Sequence, residues 1–385
     1  MTGRLRLVFW GGLGAAALLL AAGAVWLWSL PAAPGSAIAP PVGAEEQAAT
    51  LAALKPPKRA RPLIAIVGIN DATETTDYLM PYGILRRADV ADVSLLATGA
   101  GPVKLYPALT VEPDATIADF DRRHPDGADY VVVPAMSRDD DPAVLQWLRS
   151  QADKGAIILG ICVGAKVVAA AGLLDGRRGT THWYSVGELR QRHPAMRYVA
   201  DRRLVVDGKV ATTTGITASM PMMLTLIEAI AGRDRAEATA RDLGLAAWDA
   251  RHASGAFVFT RPFAVTAIAN TLAFWRWERL RLDLAPGMDE VTLALVADAW
   301  SRTYRSRAVT AGPAAGPVAT RSGARLVPDQ VAAERDGTPD VSDLVRHAPA
   351  TALDLTLAAI EARYGASTAS FVATQLEYPS RSAAP

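Results

Sequence analysis

The only cysteine of the chain, Cys162, lies between a short apolar run and a segment with helical spacing. The run at 156–159 predicts a buried strand, and residues 163–171 predict a helix. Gly160 and Gly164 flank the cysteine and permit the sharp strand-to-helix turn that presents a nucleophile at a strand tip. The positive end of the helix would favour a reactive thiolate. A lone cysteine is also a common small core residue, and the count alone leaves that alternative open.

Strands and helices are predicted to alternate along the residues around this turn. Apolar runs of strand length occur at 63–67, 93–97 and 130–133, and helical spacing occurs at 78–88 and 143–152. Such alternation predicts an α/β fold of the flavodoxin-like, doubly wound type, in which helices cover both faces of a parallel sheet. Reactive groups of these sheets collect at the carboxyl ends of the strands, where Cys162 is expected.

The amino terminus predicts a single membrane-spanning helix. Residues 7–30 contain no charged side chain, and a helix of that length crosses a hydrocarbon core of about 30 Å. Arg4 and Arg6 precede the run, whereas the next charges are Glu45 and Glu46. The positive-inside rule then leaves the bulk of the chain extracytoplasmic, in the periplasm of a Gram-negative cell. A cleaved signal peptide has similar features and remains the alternative.

The length of 385 residues allows about two folded domains. We predict an anchor at 1–30, a Pro- and Ala-rich linker at 31–61, a first domain at 62–245, an apolar connector at 246–277 and a second lobe at 278–385. The connector predicts a buried or amphipathic helix, with a second membrane span as the alternative. With a net charge of +1 the chain lacks the excess of basic residues that is typical of nucleic-acid binding, so no nucleic acid is expected as a partner.

The segment GICVGAKVVAAAGLLDGRRGTTHW resembles the elbow region of the ThiJ/PfpI family, a group of class I glutamine amidotransferase-like cysteine proteins. Isonitrile hydratases, deglycase-like stress proteins and sensor domains of AraC-type regulators belong to this family. The resemblance spans about residues 62–245 and rests on three residues. These are Cys162, His182 in THW, and Asp77, which precedes Pro81 by four positions in TDYLMPYGILRRA.

The resemblance implies catalytic roles for Cys162, Asp77 and His182. A protonated Asp77 would donate a hydrogen bond to the sulfur and later act as a general acid or base, and His182 would orient or deprotonate the thiol. One alternative stays open for each of two residues. Asp77 would only cap the following helix, and His182 would only pack in an aromatic cluster with its neighbours. The remaining histidines lack ligand spacing, so neither a metal nor another cofactor is expected.

Family enzymes build an oxyanion site from backbone N–H groups near the cysteine, and the resemblance assigns that site here to Ala135, Met136, Val163 and Gly164. The chain departs from the family where Pro134, Ala135 and Met136 follow the strand in place of a segment with two glycines, and where Val163 replaces a small hydroxyl residue. Side chains at these positions restrict the backbone conformations that an oxyanion site needs. The departures weaken the enzymatic interpretation.

An internal repeat is the last feature of the sequence. GPV at 101–103 recurs at 316–318, and IEA at 227–229 recurs at 360–362. The second copy would lack the segment carrying Cys162 and His182, which predicts a smaller, degenerate α/β lobe without a nucleophile. This lobe would cover the first as a built-in dimer partner, forming a pseudo-dimer within one chain. Chance similarity among Ala-rich helices is the alternative.

These features predict a membrane-anchored protein whose Cys162 thiolate acts on a small carbonyl, nitrile-like or oxidant ligand. If the protein is an enzyme, it would be a cysteine-dependent hydrolase or hydratase of the ThiJ/PfpI type. The alternative is a catalytically silent domain that senses a metabolite or the redox state and takes part in regulation. The sequence leaves the two open.

Overall fold

The computed structural model describes residues 3–35, 38–332 and 337–379. Residues 1–2, at the start of the predicted anchor, and 380–385, at the end of the predicted second lobe, lie outside this range. The helices are α1 (Gly3–Ser29), α2 (Ala44–Ala53), α3 (Thr75–Ala88), α4 (Ile117–Arg123), α5 (Pro142–Asp153), α6 (Gly164–Ala170), α7 (Val186–Arg192), α8 (Ser219–Ala231), α9 (Arg233–Asp242), α10 (Arg261–Leu272), α11 (Glu290–Ser301), α12 (Pro349–Tyr364) and α13 (Ala366–Gln375).

The strands differ in length and composition. The longer ones are β1 (Leu63–Gly68), β3 (Asp92–Ala97), β7 (Tyr130–Val133), β8 (Ile157–Gly160), β11 (Leu204–Asp207), β12 (Val210–Thr213), β13 (Glu278–Asp283) and β14 (Ser306–Gly312). The shorter ones are β2 (Asp71–Glu74), β4 (Val103–Tyr106), β5 (Thr110–Glu112), β6 (Ala115–Thr116), β9 (Arg178–Gly179), β10 (Arg197–Tyr198), β15 (Val318–Ala319), β16 (Arg325–Leu326) and β17 (Gln330–Val331).

Seven strands form the main sheet, in the order β11-β12-β8-β7-β1-β3-β6. Neighbouring strands are parallel except at the edge, where β11 pairs with β12 in the antiparallel sense. Side chains of β1 alternate between two cores: Ile64 and Ile66 pack on one face of the sheet, and Ala65 and Val67 on the other. The predicted flavodoxin-like α/β fold is confirmed, and the two apolar faces explain why helices cover both sides.

The carboxyl-terminal residues form a smaller lobe around a parallel sheet of β13, β14 and β17, with α11, α12 and α13 packed together beside it. A five-stranded sheet joins the lobes, because β16 pairs with β5 of the first domain. Helix α11 also packs against α3. The two lobes therefore share both a sheet and a helix contact.

The predicted linker contains a folded element. Helix α2 packs on α8 and β11, and Glu46 of this helix accepts a hydrogen bond of 2.8 Å from Arg202. Leu54 is fully buried, and its carbonyl oxygen accepts a 2.7 Å hydrogen bond from Tyr130. The expectation that folded structure begins at Pro62 is therefore wrong, because these contacts bring it forward to Ala44.

Helix α1 is long and apolar enough to cross a membrane over Gly12–Ser29, and none of that stretch is buried against the protein. A signal sequence near an amino terminus has the same properties. The predicted connector contains a second, shorter helix, α10, which packs against α13 and against the end of α1. At 12 residues α10 is too short to span a bilayer.

Candidate functional site

Cys162 occupies a strained turn between β8 and α6. Its φ of 56° lies in the left-handed region that residues other than glycine rarely adopt. Two threonines fix this conformation: Thr213 Oγ1 accepts a 3.0 Å hydrogen bond from the Cys162 N–H, and Thr181 Oγ1 donates one of 3.0 Å to its carbonyl oxygen. The predicted elbow is therefore present, and hydrogen bonds from two other segments hold it.

Gly164 is required where α6 begins. A Cβ atom there would overlap the carbonyl oxygen of Val133 at the end of β7. The Gly164 N–H donates a 2.7 Å hydrogen bond to the carbonyl oxygen of Ile161, which closes the turn around the cysteine. Gly164 is therefore needed because α6 begins in close contact with the end of β7.

Cys162 lines a cavity of about 360 Å³ at the carboxyl edge of the sheet. The cavity also contains Ala135, Met136, Val163 and His182, so the fold brings these predicted residues together. Unpredicted members of the lining are Ala72, Glu74, Tyr106, Ser137, Ile216 and Arg302. Asp77 is fully buried next to this cavity without lining it.

Asp77 is a buried carboxyl group with one free oxygen. Its Oδ2 accepts a 3.0 Å hydrogen bond from the Ala135 N–H, whereas Oδ1 has no partner among the described residues. Burial, with a further contribution from Glu74, raises the pKa of Asp77 well above its usual range. The capping alternative is wrong for Asp77, because Glu74 caps α3 by accepting a 2.6 Å hydrogen bond from the Asp77 N–H.

The surroundings of Cys162 oppose ionisation. Burial raises the pKa of its thiol well above the usual value, and the negative charges of Asp77, Glu74 and Glu377 raise it further. The Val163 N–H, at the start of the helix, hydrogen-bonds the sulfur and lowers the pKa by less. The expectation of a stabilised thiolate is therefore corrected: the thiol is 3% exposed, and three carboxyl groups outweigh the helix terminus.

His182 is turned to other partners. Its Nε2 is 2.9 Å from the carbonyl oxygen of Gln375, and its Nδ1 accepts a 3.3 Å hydrogen bond from the Tyr184 N–H. These partners assign the proton to Nε2, and burial lowers the pKa of the imidazole. Both ring nitrogens are thus occupied by backbone groups, so His182 is not placed to deprotonate Cys162. It instead joins the elbow domain to the end of α13.

Three of the four N–H groups predicted for an oxyanion site have partners within the protein. The Ala135 N–H bonds Asp77, the Gly164 N–H bonds Ile161, and the Val163 N–H bonds the sulfur of Cys162. Met136 lines the cavity and is 9% exposed. The cavity therefore offers fewer backbone donors to a ligand than the sequence suggested.

The family model for DJ-1/PfpI matches residues 64–229. An isonitrile hydratase from Pseudomonas putida is 33% identical over 166 residues, which cover 42% of this chain and 69% of the hydratase. The chain belongs to the DJ-1/PfpI family. The transcriptional regulator CdhR from Pseudomonas aeruginosa is 32% identical over 170 residues, or 43% of this chain and 47% of the regulator. This chain therefore spans about half the length of that relative.

Relatives of lower identity cover a similar share of the chain. The Parkinson disease protein 7 homolog of Danio rerio is 27% identical over 176 residues, or 44% of this chain and 90% of the homolog. A solved DJ-1 superfamily protein from Salmonella typhimurium has 26% identity and a TM-score of 0.42, covering 48% of this chain and 98% of its own.

Arg302 is a site residue that lies outside the DJ-1/PfpI match. Its Nη2 donates a 2.8 Å hydrogen bond to Glu74 Oε1, and its Nε donates one of 2.8 Å to Asp298 Oδ2. Burial raises the pKa of Asp298 to about 7, although Arg302 opposes that shift. Sequence reasoning missed both residues because they belong to the second lobe, more than 130 positions from the elbow.

Glu377 is a second contribution from outside the DJ-1/PfpI match. It follows α13, has 4% exposure, and accepts a 2.6 Å hydrogen bond from the Trp183 N–H. Its Oε2 lies 3.4 Å from His252 Nε2, in ion-pair range without hydrogen-bond geometry. Across the residues the structure describes, no group of three or more His, Cys, Asp or Glu side chains could hold a metal ion.

Proposed function

We propose that this membrane-anchored DJ-1/PfpI protein uses Cys162 to attack a small, uncharged carbonyl or nitrile-like compound in the 360 Å³ cavity. The observation that carries the proposal is the enforced left-handed backbone of Cys162, whose strain other segments hold in place. An uncharged ligand fits because Arg302 and Glu74, the two charged groups of the cavity wall, are already paired.

Asp77 would carry the proton in this reaction. The sulfur forms a bond to the electrophilic carbon, and the opened π bond leaves an electron pair on the oxygen or nitrogen of the ligand. Because burial raises the pKa of both Asp77 and Cys162, the resting site holds a neutral acid and a neutral thiol. The free Oδ1 of Asp77 would give its proton to the heteroatom of a ligand bound next to it, and Asp77 would receive the proton of the thiol, so that all atoms and charges balance.

Turnover by the full chain tests this proposal. The protein in detergent is incubated with a panel of small aldehydes and nitrile-like compounds, and products are measured by mass spectrometry. We expect Cys162→Ala to abolish product formation and Asp77→Asn to lower it by about 10² to 10⁴-fold. Asp119→Asn, on an exposed helix, is the matched control and should leave the rate unchanged. Turnover that survives in Cys162→Ala would overturn the proposal.

The state of the thiol is a second measurable quantity. Because Cys162 is the only cysteine, a thiol-selective label reports this site alone. Across a pH series the half-point of labelling should lie above that of the same chain in denaturant. Asp77→Asn should move it down, because Asp77 ionises before the thiol as the pH rises, and its negative charge then opposes ionisation of Cys162. A half-point that is lower in the native chain than in the denatured chain would contradict the raised pKa of the Cys162 thiol.

Anchoring in the membrane is part of the proposal and rests on α1. The full chain should stay with the membrane pellet after extraction with alkaline carbonate, because a span of this length is held by its apolar surface. A shortened product in the soluble fraction would instead identify α1 as a cleaved signal sequence.

A catalytically silent sensor is the second candidate function. It is favoured by the engagement of three predicted oxyanion donors within the protein and by the raised pKa of the thiol. The matched relative CdhR is a transcriptional regulator, which agrees with such a role. A metabolite that binds equally well to the wild type and to Cys162→Ala, without any product, would favour sensing over turnover.

A further inference from the structure

The second lobe repeats the order and spacing of the first. Six elements of the first lobe (β1, α3, β3, β4, β5 and β6) have counterparts in β13, α11, β14, β15, β16 and β17. Five of these six pairs begin 215 residues apart, as with Thr75 and Glu290 at the starts of α3 and α11. After a gap, α8 and α9 correspond to α12 and α13, whose last residues lie 133 positions later.

Backbone conformations repeat with the same offsets. Asp89 and Tyr304, which follow α3 and α11, have positive φ values of 50° and 58°. Gly232 and Gly365, which separate the paired helices, have φ values of 87° and 90°. Chance similarity among Ala-rich helices would not reproduce these turns, since neither pair depends on helix composition.

Contacts between the lobes are reciprocal. Arg302 of the second lobe binds Glu74 of the first at 2.8 Å, and Arg87 of the first binds Asp289 of the second at 2.7 Å. The two arginines are 215 positions apart, as are the two acids. Val111 also lies opposite Leu326, its own counterpart, where β5 meets β16. Reciprocity of this kind is the signature of a two-fold symmetric interface.

We propose that the second lobe is a degenerate copy of the first that occupies the position of a dimer partner and completes the Cys162 cavity with Arg302. The chain would then be a self-contained pseudo-dimer. Among the residues of its second half that the structure describes, there are no counterparts of β7, β8 and β12, and with them no elbow. The cavity depends on this half, because Arg302 is its cationic wall residue and Gln375 holds His182.

The two reciprocal arginines provide the test. In the full chain, Arg302→Met should raise the pH half-point of Cys162 labelling by about one unit, because a positive charge near the sulfur is lost. Arg87→Met, its counterpart away from the cavity, should leave the half-point unchanged. Arg302→Lys keeps the positive charge, so a shift of the half-point that also appears in this variant would reflect a change in the fold rather than the loss of charge. Equal shifts for the two Met variants would overturn the contribution of Arg302.

Cross-linking tests the pseudo-dimer itself. Val111→Cys with Leu326→Cys, in a Cys162→Ala background, should form a disulfide within one chain, because the two residues face each other across an antiparallel pair. Light scattering of the full chain in detergent should give one copy per particle. Disulfide-linked bands at twice the mass, or two copies per particle, would overturn the proposal.

A separate observation concerns an exposed apolar face on α10 and the turn after it. Val265, Ile268 and Leu272 are 47%, 41% and 63% exposed and lie on one side of the helix. Phe274 and Trp275, just beyond its end, are 74% and 69% exposed. The opposite side packs against α13. Isolated apolar side chains on a surface are ordinary, whereas a continuous face indicates a partner.

The position of this face identifies the partner. The Arg261 N–H, at the start of α10, donates a 2.8 Å hydrogen bond to the carbonyl oxygen of Pro31, just beyond α1. The Arg261 side chain bonds the carbonyl oxygens of Leu27 and Trp28 at 3.2 Å each. Residues 261–277, which form α10 and the turn after it, contain no Asp or Glu but include Arg261 and Arg276. An apolar face with only basic charges, attached to the end of an apolar helix, suits a bilayer with anionic headgroups.

We infer that the α10 face, residues 265–275, lies in the headgroup region of the bilayer that α1 enters. The inference rests on the proposed membrane anchoring. For the test, an environment-sensitive fluorophore is placed at Leu272→Cys in a Cys162→Ala background, and the full chain is reconstituted in vesicles of phosphatidylcholine and phosphatidylglycerol. Its emission should shift to the blue, and lipids spin-labelled on the acyl chain should quench it at least twofold.

A label at Arg122→Cys is the control, because α4 ends near the turn that enters β7, at the amino edge of the sheet. It should behave as in water. If the label at 272 is quenched no more than the label at 122, the inference is overturned, even where carbonate extraction shows α1 to be embedded. If carbonate releases the chain, the proposed anchoring by α1 is wrong. Quenching of the label at 272 then tests only whether the α10 face contacts the bilayer. A shift that needs higher protein concentration rather than lipid would assign the face to a second copy and overturn the inference.

Discussion

The two arginine–carboxylate pairs that join the lobes are related by position but differ in their surroundings. Arg302 pairs with Glu74 and Asp298, whose side chains are 8% and 0% exposed. Arg87 pairs with Asp289 and Asp242, whose side chains are 16% and 40% exposed. The first pair borders the cavity of Cys162, whereas in the second the carboxylates are the more exposed groups and Arg87 itself is 3% exposed. Equivalent contacts can therefore serve a site in one half of the chain and only assembly in the other.

Replacing each arginine in turn should give the largest difference in the free energy of unfolding between the two pairs. Arg302→Met removes the cation that contacts both buried carboxyl groups, which should lower the free energy of unfolding by about 3 to 5 kcal/mol. Arg87→Met should cost about 1 to 2 kcal/mol, because water reaches its partners. Denaturant unfolding of the full chain in detergent, followed by tryptophan fluorescence, measures both. Equal losses would mean that the two environments are energetically alike.

The contribution of Asp298 to the stability of the protein depends on pH. Its counterpart 215 positions earlier is Gly83, which does not titrate. Burial raises the pKa of Asp298 to about 7 in the folded state, against about 3.9 when unfolded. The native protein therefore holds the extra proton, and its stability falls as pH rises from about 4 to about 7 and then levels off.

Asp298→Asn should remove this part of the pH dependence. Between pH 4 and pH 7 the difference in unfolding free energy between wild type and variant should change by up to about 4 kcal/mol, at about 1.4 kcal/mol per unit. Asp242→Asn removes a carboxylate at the other pair, on the surface, and is the control. A constant difference between Asp298→Asn and wild type across this range would contradict the shifted pKa.

Local pattern was enough to predict the elbow domain. The strand at 130–133 agrees with β7 residue for residue, and Cys162 stands at the turn that the two glycines indicated. These features depend on alternation and on residues close in sequence, so they can be deduced without knowledge of packing. Asp77 was identified through the family resemblance rather than through local pattern, and the fold buries it near the sulfur.

The electrostatics of the site depend on residues far apart in sequence, and here prediction failed. The thiolate was expected from the helix terminus, but Glu74 and Glu377 raise the pKa of Cys162 together with burial and Asp77. His182 was expected at the sulfur, but Gln375 binds its ring. The proposed repeat relates Arg302 to Arg87 through the offset of 215, but Arg87 lies away from the cavity, so the repeat alone does not identify Arg302 as a site residue.

The smallest expected effect concerns the helix contact between the halves. A Cβ atom on Gly83 of α3 would lie 2.6 Å from Val291 Cγ2 and 2.9 Å from Glu290 Cγ of α11. Both neighbours are fully buried, so they cannot move aside without disturbing the packed helices. Gly83→Ala should therefore lower the free energy of unfolding by about 1 to 3 kcal/mol, although alanine favours helix.

Gly187→Ala in α7 is the matched control, because a Cβ atom there meets open space. It should be neutral or stabilise the protein by up to about 1 kcal/mol. The comparison separates the intrinsic gain of alanine in a helix from the cost of pushing two helices apart. If both variants gain stability in denaturant unfolding, α3 and α11 are not closely packed, and the join between the halves would depend on the shared sheet and the reciprocal ion pairs instead.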